Sequence, residues 1–493
     1  MKHPLLILLT LTLASLACSD LSEDVAQEHP PNIEPALKQE GEVPCKTCDP
    51  AEDQVSTFSI DVDRASYAYA RSQINRGVQP REENIRVEEF INYFPYNFPE
   101  PTGEHPFGVF VDSADSPWSP EKKMVRIGLQ GKNAAIHELP ASNLVFLVDV
   151  SGSMGSELKL PLLKAAMKTL VTKLGERDRV AIVTYANGAG VLLDSTSGED
   201  QNAILRALDS MVAQGGTNGG SGIQMAYDLA ASHLIQGGNN RVILATDGDF
   251  NVGILNQEEL LQMIRQKAEG GIALTALGFG QIYNDQFLEY LADHGDGNYA
   301  MIDSLEEANK VFGSELQGTL YTIAKDVKIQ VEFNQDHVAS YRLIGYENRA
   351  LDDDDFQNDA KDSGDMGVGH TVTALYEVGL KEGLVDPNPH LATLKIRYKL
   401  PQGSEGSTLM EKDIVHEASE LTSDFGFALS AAAFGLVLQG DQTVLDWGLS
   451  NLTEFASRHV GEDPGGERTE MLELLNKFGH TKEGDKEGIQ DWQ

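Results

Sequence analysis

The stretch Asn143-Leu144-Val145-Phe146-Leu147-Val148-Asp149-Val150-Ser151-Gly152-Ser153-Met154 is the most informative in the chain. From Leu144 to Val150 it is nearly continuous apolar sequence, broken by a single carboxylate. A strand of that kind has no solvated face, so it belongs inside a sheet covered on both sides. Leu162, Leu163, Ala166, Met167, Leu170 and Leu174 follow at helical spacing. Strands then alternate with helices. Val180–Tyr185, Val191–Asp194, Val242–Thr246, Ile272–Phe279 and Asn298–Ile302 read as strands. Ala203–Met211, Ile223–Leu234, Glu258–Ala268, Asp285–Ala292 and Leu305–Leu316 read as helices. The expectation is an α/β unit over residues 141–320: a doubly wound, mostly parallel six-stranded sheet.

Outside that unit the apolar period is two. Phe107, Val109 and Val111 alternate, as do Val125, Ile127 and Leu129. Beyond residue 321, so do Val327, Ile329, Val331 and Phe333, and then Leu394, Ile396, Tyr398 and Leu400. Two strands alone do not bury a face stably, so the early strands are expected to pair with the later ones. The α/β unit then sits as an insertion in a β-sandwich built from both flanks. Helices are expected at Asp63–Asn75 and Val87–Phe94, and again at Glu417–Gln439, Thr443–Arg458 and Glu467–Phe478. The resulting plan is a leader at 1–17, an acidic flexible linker at 18–55 and an N-terminal flanking region at 56–140. The α/β unit at 141–320 follows, then a β-rich domain at 321–416, a C-terminal helical region at 417–480 and a tail at 481–493.

In open α/β sheets, ligands bind beyond the carboxyl ends of strands, where strand order reverses. If the order is 3-2-1-4-5-6, the first and fourth strands flank that point, and Asp149 faces Asp247 across the crevice. Ser151 and Ser153 follow the first strand. Gly215-Gly216-Thr217-Asn218-Gly219-Gly220 opens a helix between the two strands in sequence, its glycines permitting close approach. Two carboxylates with Ser and Thr hydroxyls form an all-oxygen set suited to a hard divalent cation, Mg²⁺ or Mn²⁺ first and Ca²⁺ as a further candidate. The plainer reading is that Ser151 and Ser153 only cap the next helix.

Asp149-Val150-Ser151-Gly152-Ser153, Gly216-Thr217 and Ala245-Thr246-Asp247-Gly248 together resemble the von Willebrand factor type A domain and its metal-ion-dependent adhesion site. The resemblance covers roughly residues 141–320, and all five positions of the motif, Asp149, Ser151, Ser153, Thr217 and Asp247, are present. It implies that the Ser and Thr hydroxyls contact the ion directly and that the Asp residues often act through water. Three further stretches, Ser56-Thr57-Phe58-Ser59-Ile60-Asp61-Val62-Asp63, Arg86 through Phe94 and Tyr341 through Arg349, resemble the flanks of bacterial exported proteins and lipoproteins that carry a type A domain.

The ends of the chain speak to location. Lys2, the apolar run Leu5–Leu13 and the small residues Ala14, Ser15 and Ala17 read as a signal peptide. Cys18 stands where a bacterial lipoprotein is cleaved and lipidated, although Ser15 occupies a place that usually holds a large aliphatic residue. Residues 18–55 carry ten acidic side chains against two Lys, with Pro30, Pro31, Pro35 and Pro44, which suits a solvated tether. Cys45-Lys46-Thr47-Cys48 has the spacing of a redox motif or half a zinc site. With no strand before it and no second ligand pair, a small disulfide loop between Cys45 and Cys48 is expected. Phe425–Leu438 is too short to span a bilayer and reads as a buried helix.

At 41% hydrophobic and 23% charged, the 493 residues have ordinary globular composition, enough for about three domains. Thirty-eight basic residues against 76 acidic give a net charge of −38. Such a surface repels nucleic-acid backbones and anionic headgroups, so a membrane is expected to be engaged through the lipid anchor alone. The leading expectation is therefore a non-enzymatic module, anchored in the cell envelope on the periplasmic or outer surface, that binds a protein partner presenting Asp or Glu through the cation. One alternative is a Mg²⁺-dependent phosphohydrolase, since Asp247-Gly248-Asp249-Phe250-Asn251 partly resembles the Asp-x-Asp-x-Thr loop of haloacid-dehalogenase-like phosphatases, with no Lys partner evident in the sequence. The other is a structural protein whose metal only braces the loops. Seven Asp lie between Asp352 and Asp365 without the Gly and Glu positions of an EF-hand, which favours a solvated loop over a Ca²⁺ site. His105, His294, His370 and His416 show no ligand spacing.

Overall fold

The computed structural model describes residues 47–60, 63–135, 138–217, 219–248, 257–280, 285–401, 406–417 and 420–488, with side chains as far as residue 480. The leader, Cys18, Cys45 and Asp249 lie outside them. In chain order, β1 (Val55–Ser59) precedes the helices α1 (Ala65–Asn75) and α2 (Val87–Asn92), and β2 (Phe107–Asp115) and β3 (Lys122–Gly131) follow. The α/β unit contributes β4 (Ser142–Asp149), β5 (Arg179–Tyr185), β6 (Ala189–Ser197), β7 (Asn239–Thr246), β8 (Ala273–Phe279) and β9 (Tyr299–Ile302). Its helices are α3 (Leu160–Val171), α4 (Gln201–Ser210), α5 (Gly220–Ser232), α6 (Gln257–Glu269), α7 (Asp285–Asp293), α8 (Leu305–Asn309) and α9 (Leu316–Leu320).

Every residue of β4 is buried, as a strand covered by helices on both faces must be. The sheet order is β6-β5-β4-β7-β8-β9, with β6 antiparallel and all other neighbours parallel. This is the 3-2-1-4-5-6 order. From β4 the chain winds one way through β5 and β6, and from β7 the other way through β8 and β9. The carboxyl ends of β4 and β7 therefore open on the crevice where the order reverses.

The later strands are β10 (Thr322–Phe333), β11 (Val338–Ile344), β12 (Met366–Gly367), β13 (Thr371–Leu380), β14 (His390–Lys399) and β15 (Thr408–Val415). One sheet runs β1-β10-β14-β15, with β12 added on β10, and the other runs β11-β13-β3-β2. Thus β1 and β3, which precede the α/β unit, pair with β10 and β13, which follow it. Phe58, Ile127, Leu129, Ile329, Val331, Tyr376, Leu394 and Ile396 fill one core between the sheets. The α/β unit is inserted in a sandwich drawn from both flanks.

Three expectations need correction. Order begins before Ser56: the Cys48 amide and carbonyl pair with Tyr341 at 2.8 and 2.9 Å, and β1 starts at Val55. Backbone pairing across the chain overrides the polar composition that suggested a tether as far as residue 55. Thr443–Arg458 is two helices, α11 (Gln442–Trp447) and α12 (Leu449–Arg458), because Gly448 at φ 96°, ψ 144° breaks the ladder. Leu305–Leu316 is likewise interrupted, by a π-helical turn at Lys310–Ser314 between α8 and α9.

The C-terminal helices share a core with α1 and α2. The helix α10 (Ser423–Leu438) is apolar on every side, as a fully enclosed helix must be. Thr422 caps it by accepting from the Phe425 amide, so it starts later than Glu417. Phe427 meets Phe94 edge to face at 5.0 Å and Phe434 meets Phe90 at 5.8 Å. Leu474, Leu475 and Phe478 of α13 (Glu467–Gly488) close the same core. Among the described residues no helix is long and apolar enough to cross a membrane. The Asp352–Asp365 loop is pinned as well as solvated: Thr57 Oγ1 donates to Asp353 at 2.7 Å, and Lys328 Nζ donates to the Asp355 and Asn358 carbonyls at 3.0 and 2.5 Å.

Candidate metal centre at the sheet crevice

Asp149 ends β4 with no solvent exposure. Its Oδ1 accepts from the Ser151 amide at 2.7 Å and its Oδ2 accepts from Thr246 Oγ1 at 3.3 Å. The first bond folds the chain back two residues on, in an Asx turn, and the second ties the end of β4 to the end of β7. That turn brings the Ser151 and Ser153 hydroxyls 3.0 Å apart. Neither caps a helix: the short turn at Gly152–Gly155 and the helix α3 both start without a side-chain cap. The plainer reading of the two serines is therefore not what the structure adopts.

Thr217 arrives on a separate loop that is docked through its backbone. The Gln214 amide donates to the Val150 carbonyl at 2.7 Å and the Gly152 amide to the Gly215 carbonyl at 2.9 Å. Gly215 has φ +83°, and a Cβ there would lie 2.8 Å from Asn187 Nδ2, so only glycine suits the position. Asn187 Oδ1 accepts from the Gly216 amide at 2.7 Å. The half-buried Thr217 is thereby held two residues from a direct contact with the Ser151–Ser153 turn.

Asp247 follows β7 and is nearly buried. Its Oδ2 accepts from Lys159 Nζ at 2.8 Å, while its Oδ1 is buried without a hydrogen-bond partner among the described residues. Burial raises the pKa of the Asp149 carboxyl, and the negative charge of Asp247 adds to the rise, against the lowering effect of the Ser151 and Thr246 hydrogen bonds. The Tyr185 phenol, buried next to Asp149 and Thr246, is likewise pushed up by its burial.

The structure thus brings Asp149, Ser151, Ser153 and Asp247 to one point and places the Thr217 loop at its rim. The donor set fits a hard divalent cation: two carboxylates whose like charges repel each other, paired hydroxyls with no capping duty, and one enclosed carboxylate oxygen without a donor among the described residues. Among the described residues no cluster of three or more His, Cys, Asp or Glu is placed to hold a metal, so such an ion depends on the hydroxyls. Sequence reasoning missed Asn187, the anchor of the Gly215–Thr217 loop, and Lys159, which meets Asp247 from 88 positions away. A signal for Lys159 existed, since a cation just ahead of a helix occupies a place where Ser, Thr, Asp or Asn is favoured.

Comparison with known proteins agrees with this architecture. The family model of the von Willebrand factor type A domain matches residues 143–314, one described as "von Willebrand factor" matches 40–126, and one described as "Uncharacterized protein YfbK, C-terminal" matches 318–480. The chain is 40% identical over 449 residues to "Uncharacterized protein YfbK" of Escherichia coli (strain K12), covering 86% of this chain and 78% of that protein. It is 26% identical to inter-alpha-trypsin inhibitor heavy chain H3 of Mesocricetus auratus, but spans only 29% of that protein. A solved structure described as "von Willebrand factor type A from Catenulispora acidiphila" covers 73% of the chain and 88% of its own length at 17% identity, with a TM-score of 0.43. The crevice geometry, the family matches and the near full-length likeness to YfbK converge, and the chain belongs to the bacterial YfbK-like branch of the von Willebrand factor type A domain family.

Proposed function

We propose that this chain is an envelope-tethered protein-binding module that grips a carboxylate of a partner protein through a divalent cation. Type A domains are modules of protein–protein interaction and adhesion, and the chain's own residues support the finer reading. Asp149, Ser151, Ser153, Thr217 and Asp247 would hold Mg²⁺, with Mn²⁺ or Ca²⁺ as substitutes. The observation that carries this is the enclosed Asp247 Oδ1, which has no donor among the described residues, on a carboxylate whose charge is felt by the buried Asp149. When bound, the cation supplies a coordination position for an anionic oxygen from outside. Asp149 shapes the Ser151–Ser153 turn, and Gly215 and Gly216 let the Thr217 loop close on it. Leu158 and Val212, 55% and 64% exposed, lie on the two loops that meet at Gly155 and Ala213. An apolar rim of this kind suits a protein surface better than a free carboxylic acid. The leader and Cys18 support a lipid-anchored place in the cell envelope.

The test is capture of partners from an envelope extract with the full chain, with and without EDTA. EDTA and Asp149→Ala should each abolish the same capture. Capture that persists through both overturns the metal-bridged mechanism. Lys159 beside Asp247 is the one observation that favours the phosphohydrolase alternative. Mg²⁺-dependent release of phosphate from a generic phosphomonoester, lost in Asp247→Asn, would replace the binding reading with that one.

A further inference from the structure

Lys159 stands where local rules disfavour it. It immediately precedes α3, at φ −122°, ψ −110°, and makes no capping bond. The helix N-terminus repels its charge. A residue that breaks its local preferences is held there by something else, and here three turns do it. The Nζ donates to Asp247 Oδ2 at 2.8 Å and to the Ser153 carbonyl at 3.0 Å. Its stem lies against Gly280 at the end of β8, where a Cβ would come within 2.8 Å of Lys159 Cε. Gly280, at φ +78°, leaves the channel through which the side chain reaches the crevice.

We propose that Lys159 is a resident ammonium that shares Asp247 with the divalent cation: it keeps Oδ2 while the ion takes the donor-less Oδ1. This rests on the metal-binding reading of the preceding section. Lys159 then sets the charge of the site. Asp149 and Asp247 with Lys159 leave one net negative charge before the ion binds and one net positive charge after it. Without Lys159 the loaded site would be neutral. The ammonium therefore weakens metal binding and in return leaves an uncompensated positive charge facing a partner's carboxylate. The same residue restrains the ion and selects an anionic ligand.

The test uses the full chain with Mn²⁺ alone as the probe, free Mn²⁺ being read by electron paramagnetic resonance and binding heats by calorimetry. Lys159→Met should bind Mn²⁺ roughly tenfold or more tightly than the wild type, because a like charge a few ångströms from the ion is gone. Lys159→Arg, which keeps the charge, should stay near the wild type. If Lys159 only braces the loop, Lys159→Met will bind more weakly or equally, and the proposal falls while the metal reading stands. If neither the wild type nor Lys159→Met binds Mn²⁺, both fall. Binding that appears only in Lys159→Met supports the proposal in its strongest form, and Asp149→Ala in that background must then abolish it.

Discussion

Arg71 on α1 joins four parts of the chain, and its removal offers a measure of what holds the site-bearing unit to its flanks. Its guanidinium donates to Asp303 at 3.0 and 2.5 Å, to Glu307 at 2.7 Å, to the Tyr93 hydroxyl at 2.7 Å and to Glu470 at 3.1 Å. Asp303 and Glu307 lie at the end of the α/β unit, just after β9, and Glu470 lies on α13. Lys310 adds a second cation, its Nζ 2.7 Å from the Tyr93 carbonyl and 3.4 Å from that ring's centre. Arg71→Met preserves most of the packing volume and removes the charge, leaving two carboxylates only 8% and 4% exposed without their cation. Breaking a buried pair in this way costs about 3–5 kcal/mol. Glu470, 37% exposed, adds little to that figure. Burial already raises the pKa of Asp303 and Glu470, so without Arg71 these groups take up protons more readily, and the loss should shrink as pH falls from 8 towards 5. Denaturant unfolding at both pH values, followed by tryptophan fluorescence, measures it, and Glu307→Gln in the Arg71→Met background should recover part of the stability. A loss below about 1 kcal/mol at pH 8, or one independent of pH, would refute the assignment of Arg71 as a buried charge hub.

Two other predictions concern the same junction. His370, with Arg64 and Glu315, lines a cavity of about 40 Å³ and is buried; desolvation lowers its imidazole to about 4, with the Arg64 charge adding to the effect. The unfolded chain binds that proton near pH 6.5. Stability from this group is therefore present above 6.5 and is lost as pH falls towards 4, a change on the order of 3 kcal/mol. His370→Gln should flatten the stability profile by that amount over that window, and parallel profiles for the two proteins would contradict the assignment; carboxylates shifted the other way, such as Glu289 and Asp365, are common to both and cancel. Gly297 has no room for a methyl group, since a Cβ there would fall 1.8 Å from the Leu274 carbonyl oxygen. Gly297→Ala should displace the turn into β9 and cost about 1–3 kcal/mol, seen as a lower melting temperature and earlier proteolysis within residues 285–302, and an unchanged melting temperature would refute it.

Much of the site was legible because its information is local. The apolar run 144–148 specifies a buried strand within a dozen positions, while the Asx turn that Asp149 makes with the Ser151 amide is visible in the structure alone. The strand order is the common one for doubly wound sheets and not something the residues spell out, whereas the two flanking sheets follow from period-two alternation. Helix ends were read less well. Gly448 breaks a helix through a backbone conformation that polar periodicity does not reveal, and Cys48 pairs with Tyr341, nearly three hundred residues on, which no local pattern announces.

The α/β unit, its insertion between two flanks and the excess of acidic residues can be read from the sequence alone, since periodicity, turn chemistry and net charge are properties of neighbours along a chain. The meeting of Lys159 with Asp247 across 88 positions, and of Arg71 with Asp303 and Glu470 across 232 and 399, belongs to the folded molecule. A charged side chain carries no address for its partner: any of 38 cations could have faced any of 76 carboxylates, and the packing of strands and helices around them made the choice.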